Sequence, residues 1–264
     1  MKNLVISLGS LCNSHCVFCK DGRRAPGKGR LMRVDKAEAE LTNHFARGCR
    51  QVVFLGGEPT IYPRLLQLIR HAKAVGYEII EVSTNGLRCH QRQYVNSLLD
   101  AGVSKFTVSI HSHLAHVEDD LTGTPDSFNK KVAGLKLLIE FQRQGRLPHG
   151  LHLNPVLNSR NFKGLSAYIG YFHRIGINSI HFNFIGGCLY MWPLGARLRR
   201  SRLMPTYAEV VPYLLEAICR YRPTKYPELR FRFEDIPVCV LPWNGNSPRM
   251  MRQIADRYFG NMES

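Results

Sequence analysis

Six times along this chain a short apolar run ends in small or polar residues and gives way to a longer stretch with apolar positions at helical spacing. The runs are residues 4–9, 51–55, 79–83, 105–110, 150–157 and 179–184. The helical stretches between them are 34–47, 62–75, 91–101, 127–144 and 162–174. Apolar runs this short, bounded by Gly and polar residues, read as strands covered on both faces. Strands that alternate with helices predict an α/β fold built on a parallel sheet with right-handed crossovers. In such folds chemistry gathers at the C-terminal ends of the strands. After residue 190 the pattern changes to a basic run (Arg197, Arg199, Arg200, Arg202), a helix over 207–221 and a short strand over 229–233.

The first strand runs into Cys12, Cys16 and Cys19, three thiols within eight residues. Soft ligands packed this closely imply one shared metal centre: zinc, copper(I) or an iron–sulfur cluster. A structural zinc needs a fourth ligand, and a loop this short has difficulty turning His15 onto the same ion as its neighbours. A cubane cluster has four irons, so three cysteines leave one iron open for another molecule. A zinc loop, or three buried thiols, is the alternative.

The second strand ends in Gly56-Gly57-Glu58-Pro59, where two glycines permit a close backbone approach and a lone carboxylate stands at the strand end. The third ends in Ser83-Thr84-Asn85-Gly86, whose short polar side chains suit hydrogen bonding to a ribose or carboxylate, although an ordinary Asn-Gly turn reads the same way. Ser109 and His111 close the fourth strand, and Asn154, Asn158 and Asn183 stand at the ends of the fifth and sixth as polar contacts. His111, His113 and His116 lie close together, but no cysteine or carboxylate in that loop completes a second metal site.

The Cys-x3-Cys-x2-Cys spacing with Phe18 before the last cysteine, followed in order by the Gly-Gly-Glu-Pro and Thr-Asn-Gly segments, resembles the radical S-adenosylmethionine (radical SAM) superfamily. The resemblance spans residues 4–186 and implies an open partial (β/α)6 barrel of TIM type over residues 1–190, with 191–264 as a C-terminal cap. It implies a [4Fe-4S] cluster on Cys12, Cys16 and Cys19 whose fourth iron is chelated by S-adenosyl-L-methionine. Reductive cleavage of that cofactor gives a 5′-deoxyadenosyl radical, which takes a hydrogen atom from a substrate. Phe18 then packs near the adenine, Gly56, Gly57 and Glu58 receive the methionine ammonium, and Ser83, Thr84, Asn85 and Ser109 lie along the cofactor. His111 and Cys188 are the candidate substrate-side residues. Cys188, Cys219 and Cys239 are spaced too widely for a cysteine-rich auxiliary-cluster module. The expected partners are a small-molecule or peptide substrate of a biosynthetic pathway and an electron donor such as flavodoxin or ferredoxin.

Lys+Arg 36 against Asp+Glu 20 leaves a net charge of +16, which favours anionic partners and makes tRNA or another nucleic acid the alternative substrate. Long aromatic interleaving of the kind that stacks bases is missing from the sequence. Clustered thiols in a chain of 264 residues point to a reducing cytoplasm. No membrane-spanning run and no signal-peptide pattern is expected at residues 1–11.

Overall fold

A computed structural model describes residues 2–19, 29–185, 202–237 and 248–259. The chain parts into two compact units, residues 1–110 with 119–151 and residues 111–118 with 152–264.

The first unit carries β1 (Lys2–Ser7), α1 (Val34–Ala46), β2 (Cys49–Leu55), α2 (Leu65–Val75), β3 (Ile79–Thr84), α3 (Arg92–Ala101), β4 (Lys105–Val108), the end of α4 (Ala115–Thr122) and α5 (Ser127–Arg143). Strands β1 to β4 pair in parallel in chain order. Val52, Phe54, Val82, Phe106 and Val108 are buried on one face, as are Leu41, Leu68, Leu98 and Leu135 of the helices. Removing such side chains from water is the main stabilising term, about 1.5–3 kcal/mol for each. The opposite face holds a polar ladder on buried Glu81. Its carboxylate accepts from Gln51 Nε2 (3.1 Å) and Thr107 Oγ1 (2.6 Å) and pairs with Lys105 Nζ (2.9 Å).

Helices α1 and α5 start at the expected residues, 34 and 127, whereas α2 starts later than expected. Asp35, in the first turn of α1, meets the Arg33 guanidinium at 3.0 and 2.6 Å, and Arg33 occupies the cap position without a side-chain bond. The helix expected from residue 62 begins at Leu65, because Pro59–Ile61 form a separate 3-10 turn capped by Glu58. Gly76 ends α2 at φ 113°, a left-handed conformation that glycine adopts without penalty. Asp126 precedes α5 at φ 59° and makes no cap bond. The capping carboxylate comes from Asp119 of α4, a helix the sequence reading did not anticipate, which accepts from Asp126 N (3.0 Å) and Phe128 N (2.9 Å).

The second unit contains β5 (Leu151–Leu153, whose first residue belongs to the first unit), β6 (Val156–Leu157), α6 (Leu165–Arg174), β7 (Ser179–Phe184), α7 (Tyr207–Arg220), β8 (Arg230–Glu234) and α8 (Pro248–Tyr258). The strand expected over 150–157 is two strands, since Pro155 has no N–H to give a ladder. β7 pairs in parallel with β5, β6 and β8. Phe182 stacks on Phe233 (5.3 Å), and Tyr168 and Phe259 pack against that pair. A reciprocal box of Thr206 and Glu209 caps α7, a device that contributes about 1 kcal/mol. The expected boundary at residue 190 lies outside the described residues, as do Cys188, Cys239, Arg197, Arg199 and Arg200.

Candidate active site

Three segments of the first unit hold the cysteine loop. From one side the Gly-Gly turn after β2 reaches it through its backbone, Gly57 N–H donating to Gly9 O (2.6 Å) and Glu58 N–H to Leu11 O (2.7 Å). This contact is so close that a Cβ on Gly57 would lie 2.0 Å from Leu11 O. From another side the C-terminal end of α4 accepts His15 N–H at Thr122 O (2.8 Å), Val17 N–H at Leu121 O (2.9 Å) and Ser14 Oγ at Thr122 O (3.2 Å). The third contact is the turn after β3, where Asn85 Nδ2 donates to Asn13 Oδ1 (2.8 Å) and approaches Cys12 Sγ (3.8 Å).

Glu58 locks two of these segments together. The residue is 3 % exposed. Oε1 accepts from Thr60 N (3.0 Å), Thr60 Oγ1 (2.6 Å) and Thr84 Oγ1 (2.5 Å), while Oε2 accepts from Asn85 N (2.6 Å). A buried charge must be satisfied this fully to be tolerated. Thr60 O in turn accepts from Arg88 Nη1 (2.5 Å) and Tyr94 OH (2.9 Å), and the Arg88 guanidinium lies 3.9 Å from the Tyr94 ring centroid. Sequence reasoning missed this brace, Ser14 and the Thr122 anchor. The signals were there: Thr60 directly follows the Gly-Gly-Glu-Pro segment, and Gly123, at φ 58°, packs against His15.

The sulfurs have polar neighbours. Ser14 N–H donates to Cys12 Sγ (3.4 Å), and Ser14 Oγ lies 3.3 Å from Cys16 Sγ. Burial pushes the Cys12 thiol up to about 11; the Ser14 N–H works against that rise, and Glu58, Cys16 and Cys19 add to it. Thiolate formation in this loop therefore calls for a cationic centre to offset it. Among the described residues no three His, Cys, Asp or Glu side chains gather as a single-ion site. A multi-iron cluster, whose ligands attach to different irons, does not demand that convergence. The donor set, three thiols on a fixed loop with hydrogen-bond donors aimed at sulfur, fits such a cluster.

The other expected residues are placed as follows. Phe18 lies between Val17 and Cys19 on the anchored loop, and Ser83 pairs with Thr107 on the Glu81 face. Ser109 N–H donates to Thr84 O (2.9 Å), and Ser109 O accepts from Lys131 Nζ (3.0 Å). In the second unit Asn183 Nδ2 donates to Asn154 Oδ1, and buried Asn158 closes its own turn through Val156 O (3.0 Å). His111 Nδ1 accepts from Val156 N (3.1 Å), which leaves Nε2 to carry the proton of the neutral ring. His111 and Tyr168 line a cavity of about 210 Å³. Cys49 and Cys89 are buried thiols, and burial holds Cys89 far above the usual thiol range.

A family model described as Radical SAM superfamily matches residues 6–158. A probable GTP 3′,8-cyclase of Saccharolobus solfataricus is 30% identical over 184 residues, 69% of this chain and 56% of that protein. A second, from Sulfurisphaera tokodaii, is 29% identical over 181 residues, 69% of this chain and 55% of that one. The chain thus spans just over half the length of the curated relatives it matches. Among solved structures, Streptococcus suis SuiB bound to S-adenosylmethionine superposes with a TM-score of 0.66 at 18% identity, over 88% of this chain and 50% of that one. The anSMEcpe structure with AdoMet and Kp18Cys peptide gives 0.68 at 16% identity, over 87% and 63%. These likenesses bear out the fold class read from the sequence, a parallel α/β partial barrel of TIM type. No helix among the described residues is long and apolar enough to cross a membrane.

Proposed function

Because the chain belongs to the Radical SAM superfamily and is an enzyme of that class, we propose that it abstracts a hydrogen atom from a small-molecule or peptide substrate in a biosynthetic pathway. Family membership implies S-adenosylmethionine and an iron–sulfur cluster. When bound, that pair supplies one-electron cleavage of the C5′–S bond and a 5′-deoxyadenosyl radical, chemistry that belongs to the cofactor. Cys12, Cys16 and Cys19 would hold a [4Fe-4S] cluster, with Ser14 and Asn85 setting its potential through hydrogen bonds to sulfur. Gly56, Gly57 and Glu58 would take the methionine ammonium. Glu58 Oε2 accepts one donor where two lone pairs are present, so one position is left for it. Ser83, Thr84, Asn85 and Ser109 would line the ribose and carboxylate, and Phe18 the adenine. Asn154, Asn183, His111 and Cys188 are assigned to the cofactor and substrate side. The observation that carries this reading is the tying of the cysteine loop to both the Gly-Gly and Thr-Asn-Gly turns.

The names of the sequence relatives point to a nucleotide and those of the structural neighbours to peptides. The small-molecule reading is favoured, since sequence similarity lies with the former. A ferredoxin or flavodoxin in a reducing cytoplasm would supply the electron, drawn by the +16 charge. Residues 191–264 are proposed as the cap. The same charge supports nucleic acid as a second reading, and failure to bind bulk tRNA at low salt would remove it.

Anaerobically reconstituted protein is expected to be brown, to hold about four irons, and to release 5′-deoxyadenosine with dithionite. Cys16→Ala should abolish both colour and cleavage. Colourless protein with one zinc would overturn the assignment.

A further inference from the structure

β5, β7 and β8 of the second unit present a face that parallel sheets seldom leave polar. The register sets Leu153 beside Ile180 and Ile180 beside Phe231, and all three are buried. Alternation then puts His152, Ser179, His181, Arg230 and Arg232 together on the opposite face. Ser179 pairs with Arg230 and His181 with Arg232. His152 Nδ1 lies 2.6 Å from Ser179 Oγ, and the His152 and His181 rings meet edge-on at 5.4 Å.

This face lines a cavity of about 550 Å³ that α8 walls with Asp256, Arg257 and Tyr258. The size is that of a small-molecule site. Three guanidinia (Arg230, Arg232, Arg257) stand there against one carboxylate, Asp256. Arg257 lies against the Tyr258 ring, 5.8 Å from its centroid. The Arg230 and Arg232 side chains, both exposed, make no ion pair or hydrogen bond among the described residues. Three like charges gathered in one concavity around a single carboxylate repel, and an anion relieves that repulsion. The two forks arise two residues apart on one strand, roughly 6.6 Å, wider than a single carboxylate spans. An arginine fork matches phosphate oxygens two at a time.

We propose that this cavity binds the phosphate groups of a phosphorylated small molecule, Arg230 and Arg232 gripping them from β8 while the two imidazoles and Ser179 line the floor. The inference goes beyond the proposed reaction and gives the second unit a phosphate site of its own, at the start of β7 and β8.

The test is calorimetric titration of the reconstituted full chain with pyrophosphate and, separately, with succinate. Saturable pyrophosphate binding is expected, roughly tenfold or more weaker in the Arg230→Gln/Arg232→Gln variant, with succinate binding more weakly than pyrophosphate. Arg232→Lys keeps the charge but loses the fork, and should fall between wild type and the double variant. This single variant decides the matter if the double variant does not fold. Absent pyrophosphate binding in the wild type, or equal binding in the variants, overturns the site. Succinate binding as tight as pyrophosphate overturns the assignment to phosphate. S-adenosylmethionine binding is titrated on the same wild-type sample: its absence would sink the proposed function while leaving the pyrophosphate result readable.

Discussion

Glu58→Ala is expected to lower the thermal midpoint and to weaken S-adenosylmethionine binding together. Four donors, two of them backbone N–H groups of Thr60 and Asn85, converge on this buried carboxylate. Deleting it strands them away from water at a cost of about 3 kcal/mol. In a chain of this size each kcal/mol moves the midpoint by about 2–4 °C, so a fall of roughly 6–12 °C is expected in a melting scan. Glu58→Gln retains one carbonyl acceptor and should recover part of the loss. An unchanged midpoint would mean that the carboxylate does not brace the two turns, and unchanged cofactor affinity would remove its role toward the ammonium.

Gly57→Ala should be as damaging by a different route. The new methyl would sit 2.0 Å from Leu11 O and 2.5 Å from Leu11 C, and backbone atoms cannot rotate out of the way as side chains do. The cysteine loop has to lift off the Gly-Gly turn, breaking the bonds to Gly9 O and Leu11 O. Iron content after reconstitution should drop from about four to below one per chain. Gly48→Ala is the control: φ there is 89° but nothing lies within 4 Å of the added carbon, so only backbone strain of about 1 kcal/mol is incurred. Normal iron loading in Gly57→Ala would show that the loop does not depend on this contact.

The chain's local chemistry was legible where it repeats a short-range rule. Apolar runs marked every strand of the first unit, and the cysteines, Gly56-Gly57-Glu58 and Thr84-Asn85 stood out by residue type and spacing. What spacing could not show was who satisfies whom. Glu58 reads as a lone carboxylate in sequence, yet Thr84 and Asn85, 26 and 27 residues later, bind it. Asp35 and Asp126 look like caps, but the first is taken by Arg33 and the second yields to Asp119. The split of the fifth strand was readable from Pro155, whose missing N–H outweighs the apolar alternation around it.

Glu81 carries a consequence for how the molecule assembles. Parallel strands have no hairpin turn to set their alignment, and their pairing is nonlocal and slow. Gln51, Lys105 and Thr107 all reach this one carboxylate in the native alignment. A slip by one position would shift a strand by about 3.3 Å and turn its side chains over. It would bury the polar ladder against the helices and carry Thr84 away from Glu58. The ladder thus favours the native alignment over a slipped one, and that alignment is the one that brings together the turns on which the cysteine loop docks.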